Sequence, residues 1–144
     1  MPISSTLHTA LTQQIATAKT RVLGEDLLKN DAEARLLLSV LQAYGADPTA
    51  FLYISPTRAR STHRPPDLVL CHPAVGLLII EAKGHPITEI QGLEAGHLFV
   101  TYANRPQPVN VLQQADEQLY EIEGDLLRLL PDRRAKPLLT NLIA

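Results

Sequence analysis

The sequence predicts an α/β fold, a mixed central sheet flanked by helices, and three observations carry that prediction. Apolar residues recur at three- and four-residue steps near both ends of the chain, as they do along one face of a helix. The middle is strand-like, with short apolar runs separated by Pro and Gly. The run "GLLIIEA", residues 76–82, is apolar at consecutive positions, which marks a strand covered on both faces.

At 144 residues and 45% hydrophobic, the chain suffices for one compact core. A net charge of −2 excludes a protein that coats nucleic acid non-specifically, so any such contact must be local. The lone Cys71 cannot form an intrachain disulfide and is expected to be a small buried hydrophobe in a reducing cytoplasm. The N-terminus lacks the basic leader and apolar core of a secretory signal. No apolar run approaches the roughly 18 residues of a membrane span, so a soluble, cytoplasmic protein is expected.

Leu7, Leu11, Ile15, Ala18 and Val22 predict a helix from about Ser5, giving an N-terminal helical extension over residues 1–29. Asn30 and Glu33 form a capping box that opens a second helix and the main domain, residues 30–144. That helix is expected to end before Gly45. "AFLYIS" reads as a short strand, and "PTRARSTHRPP" as a polar loop carrying Arg58, Arg60, His63 and Arg64. A hairpin follows over residues 67–83. "ITEIQGLEAGHLFVTYA" reads as two more strands joined by a turn at residues 92–96, with "NRPQP" closing the hairpin. Leu112, Ala115, Leu119, Ile122, Leu126 and Leu129 predict a long helix on the sheet, capped by Asn110 and stopped by Pro131. "PLLTNLIA" reads as the start of a further strand, so the domain is expected to be truncated at its C-terminus.

The hairpin holds the chemistry. If "HPAVG" is its loop, Cys71 faces Leu77, Leu70 faces Leu78, Val69 faces Ile79 and Leu68 faces Ile80, which sets Asp67 opposite Glu81. A loop one residue shorter moves the two acids to opposite faces. Directly opposed residues have Cβ atoms about 4.5–5.5 Å apart, and like charges so placed are destabilising. They must share a proton, pair with a cation or bind a metal. Asp67, Glu81 and the Ala82 backbone carbonyl offer the hard oxygens that Mg²⁺ or Mn²⁺ takes alongside waters and phosphate oxygens. Lys83 shares the face of Glu81 and is placed to orient an attacking water or stabilise developing charge.

Purely structural roles are open to the same residues. Glu81 and Lys83 could form a strand-end ion pair worth roughly 0–1 kcal/mol. Asp67 could simply begin a strand, and Glu33 could do no more than complete its capping box. His72 and His85 fall in turns beside prolines and are expected to be solvated; no two histidines have zinc-ligand spacing.

Pro66-Asp67 followed by Glu81-Ala82-Lys83 resembles the PD-(D/E)XK nuclease signature, and "PDLVLCHPAVGLLIIEAKG" resembles the core of the nuclease-related domain, NERD. "NDAEARLLLSVL" is similar to that family's N-terminal helix with its acidic residue, here Glu33. "VNVLQQA" is similar to its Asn-Pro-x-x-Gln helix start, with Asn110, Gln114, and Val111 in place of the Pro. The resemblance implies a restriction-endonuclease-like fold preceded by an extra helix. It also implies metal-dependent cleavage of nucleic acid, expected to be DNA, with Asp67 and Glu81 on the metal and Glu33 and Gln114 assisting. A helicase or other domain in a longer parent chain is the partner it suggests. Two rival readings stay open: a module that holds nucleic acid beside a helicase without cutting it, and a protein-interaction domain in which the acid pair is incidental.

Arg58, Arg60, Arg64 and Asn110 are the expected nucleic-acid contacts. With only 4% aromatic residues no stacking platform is evident, so recognition should rest on phosphates. Replacing Arg58, Arg60 and Arg64 with Ala is expected to weaken DNA binding and flatten its salt dependence, the slope falling by about 0.7–0.9 per lost phosphate contact. A binding titration at several salt concentrations measures it, and an unchanged slope removes the loop from the interface.

Overall fold

Strand Gly76–Glu81 dictates the layering, because a strand apolar at successive positions must be covered twice. The computed structural model describes residues 2–56, 64–85, 87–95, 97–102, 105–130, 132 and 139–143. In chain order the elements are α1 (Ser5–Thr17), β1 (Arg21–Leu23), α2 (Asp31–Tyr44), β2 (Phe51–Ile54), β3 (Leu68–His72), β4 (Gly76–Glu81), β5 (Ile90–Glu94), β6 (His97–Tyr102), β7 (Arg105–Asn110), α3 (Val111–Leu129) and β8 (Leu139–Ile143). The five-stranded sheet has the order β1-β2-β3-β4-β8, and β5-β6-β7 form a separate antiparallel sheet. The larger sheet is mixed: β1 lies parallel to β2 and β8 to β4, whereas β2–β3 and β3–β4 are antiparallel. The fold is thus mixed α/β, with three α-helices among the described residues.

On one face of the large sheet, Leu52, Ile54, Leu68, Leu70 and Ile80 pack with Leu11 of α1 and Ala34, Leu37, Val40 and Leu41 of α2. Fully burying such a side chain contributes roughly 1.5–3 kcal/mol, so this cluster is the main source of cohesion. The alternate residues, among them Val69 and Ile79, point to the other face, where α3 packs against β4 and β8. Val100 of β6 is fully buried, and β6 also packs against α3.

The β3–β4 register has Leu68 opposite Ile80, Val69 opposite Ile79, Leu70 opposite Leu78 and Cys71 opposite Leu77, as expected, with His72 also paired to Gly76. The loop is therefore only Pro73, Ala74 and Val75, and Gly76 takes φ 83°, the left-handed conformation that closes a three-residue hairpin loop. Asn30 caps α2 as the sequence predicts, while the return bond from Glu33 goes to the residue before the cap rather than to the backbone of Asn30. Asn30 Oδ1 accepts from Glu33 N at 3.0 Å, while Glu33 Oε2 reaches back to Lys29 N at 2.8 Å.

Several expectations are corrected. The first helix stops at Thr17 rather than running to Val22, and Arg21–Leu23 form β1 on the edge of the large sheet. Beyond the helix, Lys19 N and Thr20 N donate to Gly45 O, and Thr20 Oγ1 lies 2.6 Å from Tyr44 O and 2.8 Å from Asp47 O. Bonds to the C-terminal end of α2 thus replace the next helical turn. The segment containing "NRPQP" is not a closing loop but part of β7, with Pro106 opposite Thr101 and Pro108 opposite Phe99. Prolines two apart turn their missing donors to one side, and here that side is the free edge of the small sheet. Gly92 lies inside β5 at a register shift, not in the turn. His72 is not a solvated turn residue. Its Nδ1 accepts from Ala74 N at 3.1 Å, leaving Nε2 to donate to Asp47 Oδ2 at 2.7 Å.

Gly24, at φ 84°, passes so close to β2 that a Cβ there would sit 2.7 Å from the Ile54 carbonyl oxygen. Gly24→Ala combines that clash with left-handed strain and is expected to cost on the order of 1–3 kcal/mol. Urea denaturation measures the loss; an unchanged midpoint would show that the β1–α2 connection can shift without penalty.

Candidate functional site

The β3–β4 ladder ends with Leu68 opposite Ile80, so Asp67 and Glu81 are the next residues outward on each strand. Both are buried, at 4% and 2% exposure. They lie on the sheet face that α3 covers, because they alternate with Leu68 and Ile80 of the opposite face. The hydrogen bond from Ala82 N to Asp67 Oδ2, 2.9 Å, ties one acid to the strand carrying the other. Asp67 O also accepts from Ser55 N at 2.9 Å, anchoring the start of β3 on the end of β2.

Each acid has its own cation. Arg64 Nη2 lies 3.1 Å from Asp67 Oδ1, and Lys83 Nζ lies 3.2 Å from Glu81 Oε1. The first turns of α3 complete the shell around Glu81: Gln114 Nε2 donates to Oε1 at 2.6 Å and Gln118 Nε2 to Oε2 at 3.2 Å. Lys83 Nζ also donates to Gln114 Oε1 at 2.6 Å, so Lys83, Gln114 and Glu81 form a closed ring of polar contacts. Burial, and after it the negative charge of Glu81, hold Asp67 above the ordinary carboxyl range; the Ala82 N–H and Arg64 pull it back, and Glu33 adds to the upward push.

A cleft of about 540 Å³ opens over this end of the sheet, lined by Asn30, Glu33, Arg64, Ala82, Lys83 and His85 among others. Asp67 and Glu81 do not line it; they contact it through Arg64 and Lys83, each of which lines the cleft while bonding one acid. Glu33 reaches the cleft from the N-terminus of α2, but both its oxygens are engaged, by Lys29 N and by Asn30 Nδ2 at 3.1 Å. Compared with family models, with curated proteins and with solved structures, the chain matches none.

Of the residues singled out in the sequence, Asp67, Glu81, Ala82, Lys83 and Gln114 come together, and Glu33 and Arg64 border them. Asn110 caps α3, accepting from Gln113 N at 3.0 Å. Arg58, Arg60 and His63 lie outside the described residues. Gln118 is the member that the sequence reading missed. A polar residue one turn after Gln114, inside the stripe formed by Ala115, Leu119 and Ile122, was the available signal.

Among the described residues no group of three or more His, Cys, Asp and Glu side chains could hold a metal ion. The donors expected from the sequence, Asp67, Glu81 and the Ala82 carbonyl, amount to two carboxylates and fall short of such a group. Such donors would suit a hard divalent cation only if water and phosphate oxygens completed its shell, and would not form an all-protein cage. No described helix is long and apolar enough to cross a membrane.

Folded Asp67 binds its proton more tightly than the unfolded chain does. Its contribution to stability is therefore fully present below its ordinary value of 3.8 and is lost as pH rises through the raised folded value. Asp67→Asn removes that loss. At neutral pH the variant is expected to melt higher than the unsubstituted chain, by about 2–4 °C per kcal/mol relieved, with the gain shrinking as pH falls toward 3.8. Thermal melts across this range in the absence of divalent ions check it; a lower melting temperature at neutral pH would mean that the Arg64 pair outweighs burial and repulsion.

Proposed function

We propose that this chain is a metal-dependent nuclease with a restriction-endonuclease-like core, hydrolysing phosphodiester bonds of DNA. The observation that carries the reading is the pair of buried carboxylates at adjoining strand ends, with a Lys two residues beyond one of them. Asp67, Glu81 and the Ala82 carbonyl would hold Mg²⁺ or Mn²⁺. When bound, the ion would supply Lewis-acid polarisation of the phosphorus centre and lower the pKa of the attacking water.

The chain's own groups supply the rest. Gln114 fixes Glu81 by donating to Oε1 and fixes Lys83 by accepting from Nζ, so one amide sets the spacing between acid and ammonium. Lys83, only partly exposed at the cleft, is positioned to orient water or to stabilise negative charge developing on phosphate oxygens. Arg64 has a side chain 57% exposed and faces both Asp67 and the cleft, which suits it to meet an entering phosphate. Glu33, held rigidly by the start of α2, adds negative potential beside Asp67 and thereby favours a cation there.

One observation favours a second reading, a module that binds nucleic acid without cutting it. Lys83 Nζ already spends two of its three N–H donors on Glu81 and Gln114, which leaves one for a water or a phosphate oxygen. The two readings differ in turnover. Asp67→Asn and Glu81→Gln are each expected to abolish Mg²⁺- or Mn²⁺-dependent cutting of plasmid and single-stranded DNA. Lys83→Ala should keep metal binding yet lose on the order of 10²–10³ in rate. Calorimetry reads the binding and a nicking assay the turnover. If the unsubstituted chain binds DNA but cuts it with neither ion, the binding module replaces the nuclease.

A further inference from the structure

Gln118 lies one turn beyond Gln114 in α3 and is 3% exposed. Its Nε2 donates to Glu81 Oε2, but its Oε1 is buried with no hydrogen-bond partner, the one such side-chain atom among the described residues. Buried polar groups are nearly always paired, and each exception calls for a reason. Were Gln118 needed only to fill space, Met would serve with a similar length and without an unpaired carbonyl. What Met cannot do is donate to Glu81.

The bonds around Glu81 show what that donation achieves. A carboxylate oxygen accepts about two hydrogen bonds. Oε1 already has two donors, Lys83 Nζ and Gln114 Nε2, so it is filled; among the described residues Oε2 has Gln118 alone and keeps a lone pair. Anchoring one oxygen leaves the soft terminal torsion of a Glu side chain free to turn, and anchoring both fixes the carboxylate plane.

We propose that Gln118 is a positioning residue that holds Glu81 with Oε2 presented as its metal-ligating atom, a role that rests on the metal-dependent reading above. Gln114 and Gln118 then divide the work: the first links Glu81 to Lys83, and the second orients the oxygen left over. Groups that orient a metal ligand typically change metal affinity by about 10–100-fold when removed.

The test uses the full chain and Gln118→Met, titrated with Mg²⁺ or Mn²⁺ alone by calorimetry and melted in the absence of the ions. Gln118→Met is expected to weaken divalent binding about 10–100-fold. Its metal-free melting temperature should stay close to that of the unsubstituted chain, because loss of the donor and removal of the unpaired carbonyl act in opposite directions. Unchanged affinity in a folded variant overturns the proposal. So does a variant that no longer folds without metal, since the amide would then be a structural tie. Asp67→Asn separates the two readings: if the unsubstituted chain has no divalent binding that this substitution abolishes, the metal site itself falls, and Gln118 with it. If that binding exists and Gln118→Met leaves it untouched, only the Gln118 proposal falls.

Discussion

Two carboxylates buried side by side, Asp67 and Glu81, set the terms for everything packed around them. Their charges repel, and both are nearly stripped of water, so the fold must supply donors at close range. It draws them from the loop before β3, the residues after β4 and the first turns of α3: Arg64, Ala82 N, Lys83, Gln114 and Gln118. This explains why α3 breaks its apolar stripe where it does. Replacing a buried ionic cluster with well-packed apolar residues is often neutral or stabilising, so keeping one here points to a use beyond stability.

The same end of the sheet gathers two helix N-termini, those of α2 and α3, each capped by an Asn. Helix N-termini carry partial positive charge, and with Arg64 and Lys83 they offset the acids locally. Arg64 and Lys83 line the cleft together with Asp31 and Glu33, while Asp67 and Glu81 lie out of its lining. On the proposed nuclease reading, drawing Arg64 or Lys83 toward a phosphate would uncover the acid each one neutralises and so couple arrival of an anion to affinity for a divalent cation.

What could be read from the sequence divides along physical lines. The β3–β4 register was legible by counting back from one Gly-terminated turn, since the two strands are apolar at successive positions and do not themselves choose between registers. The start of α2 was legible because a capping box is a local pattern. Whatever depended on distant partners was not. Val22 continues the helical spacing of α1 by coincidence, and only the carbonyls of Tyr44, Gly45 and Asp47 reveal that the chain turns away at Thr20. Pro106 and Pro108 look like a loop until β6 is seen to pair on the side where no proline donor is missed. Gln118 gained meaning only when Glu81 Oε2 was found beside it. Asp67, Glu81 and Lys83 emerged together because counting along the hairpin and a resemblance pointed to the same residues, whereas Gln114 came from the resemblance.

The far end of the hairpin carries a quieter constraint. His72 closes the β3–β4 turn and holds Asp47, whose own carboxylate is kept below the usual range by the side chain and backbone of Thr49 and by His72. The hairpin is thus fastened at both ends, by this pair at the turn and by Asp67 on Ala82 at the mouth. Surface turns ordinarily accept extra residues at little entropic cost, about 0.6 kcal/mol per doubling of loop length. This one is not such a place. Any added residue that propagated as a one-step slip along β4 would carry Glu81 to the α2 face while Asp67 stayed on the other. In lineages descending from this sequence, length variation should therefore gather in the β5–β6 turn and spare residues 73–75.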